Sequence, residues 1–171
     1  MAQLRLEPFG ARHLDGVAVL LADSDVMRFT AIDVPPPEGF AQDWLAGYER
    51  GLQDGTRSGF AAMSADDEFL GLALAVRVDR VAREAELGYM VVPAARGKGV
   101  GAQILELLTE WAFEEAGVLR AELLIDVANA GSEGVARRCG YVREGVLRSR
   151  YLKQDIRIDA GIWSRLASDP R

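Results

Sequence analysis

The chain is short of the residues that staple or metallate small proteins, with one cysteine, Cys139, and one histidine, His13, in 171 residues. A lone cysteine cannot close an intrachain disulfide, so an oxidising compartment is not indicated. Without a second histidine or cysteine there is no ligand cluster for zinc. His13, beside Asp15, reads as a surface residue and not as a catalyst. Long apolar runs are missing as well: none approaches the ~20 residues needed to span a bilayer. The opening Met1-Ala2-Gln3-Leu4-Arg5-Leu6-Glu7 lacks the apolar core of a signal peptide, and the expectation is a cytoplasmic protein with no membrane partner. Positive charge is in the minority, 20 Lys and Arg against 26 Asp and Glu, for a formal net charge of −6. That argues against a nucleic-acid partner, which calls for a basic face. It favours a cationic one, although an acidic surface also serves solubility alone. No repeat, low-complexity segment or linker interrupts the chain, so residues 1–171 read as a single domain long enough to bury its own core.

What the chain does have is a glycine-rich run after an apolar one, Glu84 to Ala102. An apolar, partly β-branched segment ends at Pro93, which cannot donate to a central ladder and marks the end of a strand. Beyond Gly101, Ile104, Leu108 and Trp111 follow Val100 at the spacing of one helix face. The glycines therefore sit at a helix N-terminus, where backbone N–H groups lack intrahelical partners and the macrodipole adds positive charge. Gly97, Gly99 and Gly101 carry no side chain to keep a pyrophosphate away, and Arg96 and Lys98 offer charge. A P-loop needs Ser or Thr after Gly-Lys, but Lys98 is followed by Gly99. A dinucleotide fingerprint needs G-x-G-x-x-G, and the spacing here is G-x-G-x-G.

Along the rest of the chain, Gln3 to Glu7 reads as a strand and Ala11 to Ala22 as a helix burying Leu14, Val17, Ala18 and Leu21. Met27 to Pro37 reads as a loop whose Met27, Phe29 and Ile32 line a substrate pocket or simply pack, before a helix over Glu38 to Gln53. A hairpin pairs Ser58 to Ser64 with Phe69 to Asp79, the latter alternating large and small apolar residues. After the helix from Gly99 to Ala116, Leu119 to Val127 alternates as a strand, Glu133 to Cys139 is a short helix, and Val142 to Ser149 and Ile156 to Leu166 are final strands.

Arg96-x-x-Gly99-x-Gly101 directly after Val-Val-Pro resembles the acetyl-CoA signature of the GNAT superfamily of N-acyltransferases. Asn129-x-x-Ser132 followed by Val135-Ala136-Arg137-Arg138-Cys139-Gly140-Tyr141 is similar to the RimJ/RimL branch, which includes protein N-terminal acetyltransferases; Leu4-Arg5-Leu6 and Trp44 fit the same branch. The resemblance implies an α/β (α+β) fold with a mixed, mostly antiparallel sheet of about seven strands and about four flanking helices. It also implies acetyl-CoA as co-substrate, an amine acceptor and no metal. Homodimerisation through the C-terminal strands is common in such proteins. It places the cofactor against Met90, Val91 and Val92, whose backbone holds the pantetheine arm where the strand splays from its neighbour. The phosphates fall to Arg96, Gly97, Lys98, Gly99, Val100, Gly101 and Ala102, and Asn129 contacts the pantetheine amides. Glu86 matches a strand glutamate used as a base through water, with an ion-paired structural carboxylate as the alternative. Where many members carry an acid tyrosine this chain has Ala136, so Ser132 is the expected hydrogen-bond donor to the thiolate, or else the cap of its helix. Cys139 replaces a small apolar residue and reads as packing.

Direct transfer asks for a neutral amine, a stabilised oxyanion and a partner for the departing sulfur. Deprotonation at pH 7 costs about 1 kcal/mol for an α-amine and about 4.6 kcal/mol for a lysine-like amine. A modest water-relayed base therefore suffices for a peptide N-terminus, the first expectation for the acceptor. A polyamine or amino antibiotic is the alternative within the enzyme class, and a non-catalytic acyl-CoA sensor the alternative outside it, supported by the missing tyrosine.

Overall fold

A computed structural model describes residues 4–170. The elements in chain order are β1 (Arg5–Pro8), a 3₁₀ turn (Ala11–His13), α1 (Leu14–Leu21), α2 (Ser24–Phe29), α3 (Phe40–Asp54), β2 (Ser58–Met63), β3 (Phe69–Asp79) and β4 (Glu84–Val91). A second 3₁₀ turn (Pro93–Ala95) precedes α4 (Val100–Glu114), β5 (Arg120–Asp126), α5 (Ala130–Arg138), β6 (Val142–Lys153) and β7 (Ile156–Leu166). The seven strands form one sheet in the order β1-β2-β3-β4-β5-β7-β6. Among the described residues only β4 and β5 pair in parallel. Among the described residues no helix is long and apolar enough to cross a membrane.

Alternation along the strands gives the sheet two buried faces. Leu87 of β4 and Leu123 of β5 pack with Ile104, Leu105 and Leu108 of α4 and with Trp163. On the other face Leu72, Leu74 and Met90 pack with Val17, Leu20, Leu45 and Tyr48. The small residues of β3, Ala73 and Ala75, lie under α4. Glu86 and Gly88 share the side of Met90, so they belong to the face covered by α1 to α3.

Four features of the fold depart from the sequence pattern. Among the described residues there are five α-helices, in line with the expected about four; the added one is α2, which Asp23 Oδ1 caps inside the expected loop by accepting from Val26 N–H at 2.9 Å. Met27 and Phe29 therefore lie on a helix, and Met27 and Ile32 are buried as packing residues. In α1 it is Leu20, not Ala18 or Leu21, that is buried with Val17. The 3₁₀ turn at Ala11–His13 accounts for this by advancing the chain at three and not 3.6 residues per turn. His13 is not at the surface: it is 3% exposed, takes Gly10 N–H on Nδ1 at 3.0 Å and meets Glu7 Oε1 through Nε2 at 2.6 Å. Strand β6 runs to Lys153, four residues beyond expectation, since the register shifts between Leu147 and Tyr151 and breaks the alternation there. Of the first strand, Gln3 lies outside the described residues.

Strands β4 and β5 pair only over Glu84–Arg120, Ala85–Ala121 and Glu86–Glu122. Ion pairs fasten that end: Arg77 reaches Glu84 at 3.0 Å, and Arg120 joins Glu122 at 2.8 Å and Glu144 at 2.8 Å. Ser164 Oγ donates to Glu144 at 2.7 Å. Arg120 first, and Ser164 second, hold the Glu144 carboxyl down at about 2 from its ordinary 4.5. A depressed carboxyl contributes stability that is complete above its unfolded value and is lost as pH falls through the folded one. Between pH 4.5 and about 2, the urea midpoint of the wild-type chain is therefore expected to fall more steeply than that of Glu144→Gln. Parallel slopes across that window contradict the assignment.

Candidate active site

Past Glu86 the two strands part. Strand β4 keeps its ladder with β3 to Val91, and β5 keeps its ladder with β7 to Asp126, so each stays paired on its outer edge alone. Val92 N–H donates to Leu70 O at 3.0 Å on the β3 side. A Cβ on Gly71 of β3 would lie 2.0 Å from Met90 O, which therefore also points to β3. Because successive residues present their backbone groups to opposite edges, those of Tyr89 and Val91 face the opening. This corrects the expected trio. The Val92 carbonyl accepts from Ala95 N–H at 3.0 Å, which leaves neither of its backbone groups for a ligand. Met90 serves the ladder, and Val91 alone of the three turns its backbone to the gap, its carbonyl already accepting from Arg96 Nε at 3.2 Å, with Tyr89 beside it.

The loop after β4 leads to the start of α4. Gly97 has φ of +73° and Gly99, the N-cap, +80°, conformations that L side chains rarely adopt, and a Cβ on either would meet nothing within 4 Å. Space above the loop is open. Gly101 is small for a different reason: a Cβ there would lie 3.2 Å from Tyr89 Cε2. The first backward hydrogen bond runs from Gln103 N–H to Gly99 O at 3.2 Å, so the N–H groups of Val100, Gly101 and Ala102 precede any intrahelical acceptor. Arg96, expected to face phosphate, is engaged elsewhere. Its Nη2 donates to Asp23 Oδ1 at 2.5 Å, Nη1 reaches Asp25 at 3.3 Å, and Nε donates to Val91 O at 3.2 Å. The Arg96 hydrogen bond is the main reason the Asp23 carboxyl is lowered. Arg96 thus ties the loop to the start of α2, and Lys98, whose Nζ donates to Ala94 O at 2.9 Å, is the exposed cation of the loop.

Across the opening, α5 begins at Asn129, whose Oδ1 accepts from Ser132 N–H at 3.0 Å. Asn129 is the cap, so the capping role considered for Ser132 is already filled. Ser132 Oγ instead accepts from the hydroxyl of Tyr89 at 3.2 Å. Burial pushes the Tyr89 phenol up to about 12. Its position in the strand run Glu-Leu-Gly-Tyr gives no sign that its hydroxyl reaches another element; only the β4-to-α5 packing brings that about.

Glu86 stands on the opposite face, half-buried. Among the described residues no cation or hydrogen-bond donor contacts its carboxylate, in contrast to Glu84, which pairs with Arg77. Two phenols sense its charge. Tyr48 of α3 is pushed up to about 12, mainly by burial and further by Glu86, and Tyr151 of β6 is raised by the same two causes. Tyr48 belongs to an aromatic row with Phe40 and Trp44, ring centroids 5.5 and 6.0 Å apart in succession. Two concavities elsewhere, about 430 and 530 Å³, contain neither Glu86 nor Ser132. Among the described residues no group of three or more His, Cys, Asp or Glu is placed to hold a metal ion.

Comparison with known proteins adds the following. A family model described as an acetyltransferase (GNAT) domain matches residues 3–142. The ribosomal-protein-serine acetyltransferase of Escherichia coli is 27% identical over 101 residues, 59% of this chain and 56% of that protein. The spermidine N(1)-acetyltransferase of the same species is 26% identical over 149 residues, 86% of this chain and 77% of its own. Against the first of these the chain spans little more than half of the relative's length. Among solved structures, spermidine N-acetyltransferase from Vibrio cholerae in complex with CoA and spermine superposes with a TM-score of 0.86 at 20% identity, covering 97% of this chain and 96% of that one. At that identity the likeness is one of fold.

Cys139 is buried, with Sγ 3.5 Å from Ala102 O, and burial pushes its thiol up to about 11. It packs between α4 and α5. A neutral, enclosed thiol is a poor nucleophile. The folded protein is therefore expected to leave Ellman's reagent unreacted at pH 8 and to release one equivalent of colour only on unfolding in guanidinium. Rapid reaction of the native chain contradicts a packing role.

Proposed function

Because this chain belongs to the GNAT acetyltransferase family, we propose that it transfers an acetyl group from acetyl-CoA to a primary amine by direct attack in a ternary complex. The observation that carries the reading is the opening between β4 and β5 lying beside the uncommitted amides of the α4 N-terminus. A pantetheine arm can complete the backbone bonding of Tyr89 and of the Val91 N–H, the Val91 carbonyl being held by Arg96, in the manner of an added strand. A pyrophosphate can take the amides of Val100 to Ala102 above Gly97 and Gly99, where nothing intrudes, with Lys98 as the nearby cation. Asn129, whose Oδ1 is occupied by the cap, has its amide group for the arm.

The acceptor then approaches from the face of Glu86, Tyr48 and Tyr151. Its nitrogen loses a proton through water to the Glu86 carboxylate and forms the new C–N bond. The C–S bond breaks with its electron pair passing to sulfur, and Ser132 offers the departing thiolate a hydrogen bond. An α-amine needs the least help from a base, so a peptide N-terminus is the first acceptor proposed. The ribosomal-protein relative agrees with it. A polyamine is the second, in keeping with the spermidine relative and with the net charge of −6. The outer edge of β6, with exposed Val142, Val146 and Leu152, suits a second copy of the chain.

Thiol release from acetyl-CoA against a panel of peptides and polyamines tests the reading. Turnover of α-amines at neutral pH is expected, and binding of acetyl-CoA without turnover on any amine would leave a sensor. Gly99→Asp puts a carboxylate where phosphate is proposed to sit. It is expected to weaken acetyl-CoA binding by about 10- to 100-fold in a calorimetric titration. Unchanged affinity means the phosphates lie elsewhere.

A further inference from the structure

Ser132 has one hydroxyl proton and two lone pairs, and its direction decides whether it can serve a sulfur in the opening. Two contacts constrain it. Its backbone N–H is held by Asn129 Oδ1 at 3.0 Å, and its Oγ accepts the Tyr89 hydroxyl at 3.2 Å. Tyr89 lies on β4, one arm of the opening, and Ser132 on α5, which follows the other arm. The hydroxyl pair therefore spans the gap that parts the two strands. The Tyr89 ring is fixed in turn by α4, where Gly101 leaves room for it, and it packs in the core beneath α4 and α5. A ring so held can rotate its hydroxyl but cannot move it away.

We propose that Tyr89 is a positioning residue for the acetyl transfer: by donating to one lone pair of Ser132 it turns the serine's single proton toward the departing sulfur. The inference rests on the acetyl-transfer reading above. The family's helix tyrosine is absent here, its position being Ala136, buried within α5. A phenol pushed up to about 12 by burial stands roughly three powers of ten from donating its proton outright to a thiolate with a reference value near 8.5. It therefore stays protonated while the C–S electron pair moves to sulfur, and the thiolate takes its proton from water. The amine's own proton leaves by way of Glu86.

The test is a double-mutant cycle on the full chain with acetyl-CoA and whichever amine supports turnover. Tyr89→Phe keeps the ring against Gly101 and removes only the hydroxyl. Its kcat is expected to fall about five- to tenfold, with the KM for acetyl-CoA changed less than twofold. Ser132→Ala is expected to lose at least as much, and the double variant to match Ser132→Ala. Full kcat in Tyr89→Phe, losses that multiply in the double variant, or a raised KM with kcat intact would each overturn the proposal. The kcat–pH profile of the unmodified protein gives a second readout that does not depend on a variant folding. A phenol that keeps its proton produces no falling limb below about pH 10. A falling limb near pH 8 to 9 that Tyr89→Phe removes would make it the acid and overturn the positioning role. A wild-type chain that binds acetyl-CoA yet acetylates no amine overturns the transfer reading itself, and with it this inference.

Discussion

Strands β4 and β5 hold together for three residue pairs and then part, each still hydrogen-bonded to its outer neighbour. An interior strand edge left without partners costs on the order of 1–3 kcal/mol for each group that water cannot reach, so such a gap persists only where other forces hold its arms. Here the closed end is fastened by the Arg77–Glu84 and Arg120–Glu122–Glu144 ion pairs. The arms are held apart by cores on both faces, with α4 over one and α1 to α3 over the other. The open backbone edge of Tyr89 and Val91, and the room beside the Tyr89–Ser132 pair, depend on that divergence. Closing it by three more ladder pairs would occupy that edge.

The loop before α4 and the face covered by α1 to α3 are mechanically joined. Arg96 runs from the loop to Asp23, the residue that caps α2, and to Val91 at the end of β4. Lys153, at the far end of β6, donates to the carbonyls of Met27 and Thr30, and burial lowers its ammonium below the usual lysine range. Helix α2 is thereby pinned at both ends, by Arg96 at its start and by Lys153 at its last turn. An arginine that a short motif suggests for phosphate is here a strut, and the fixed amides beside it are the proposed anion site.

Much of the architecture is legible in sequence because local patterns and tertiary packing agree. Seven strands and the glycine-started helix follow from alternation, from Pro93 and from the Val100, Ile104, Leu108 spacing. Helix α2 is not legible, since six residues carry too little periodicity and its decisive feature is one aspartate cap. His13 defeats a local reading because its burial depends on Glu7 from the preceding strand. Within the site, the glycines and Glu86 can be picked out by position. The Tyr89 hydroxyl cannot, because its partner lies 43 residues away and only the packing of α5 beside α4 on the same face of the sheet brings them together. For the same reason Arg96, 73 residues from Asp23, reads as a phosphate ligand until the fold supplies its carboxylate.

The central claim, that the gap between β4 and β5 together with the α4 N-terminus receives coenzyme A, can be measured residue by residue. A titration of the ¹⁵N-labelled chain with coenzyme A reads every backbone amide. The account predicts that the largest shifts fall on Tyr89 and Val91, on Gly97 to Ala102 and on Asn129 to Ser132, while the β6–β7 edge stays still. Shifts confined to the concavity between Asp15, Phe69 and Pro93, with the Gly97 to Ala102 amides unmoved, would contradict it.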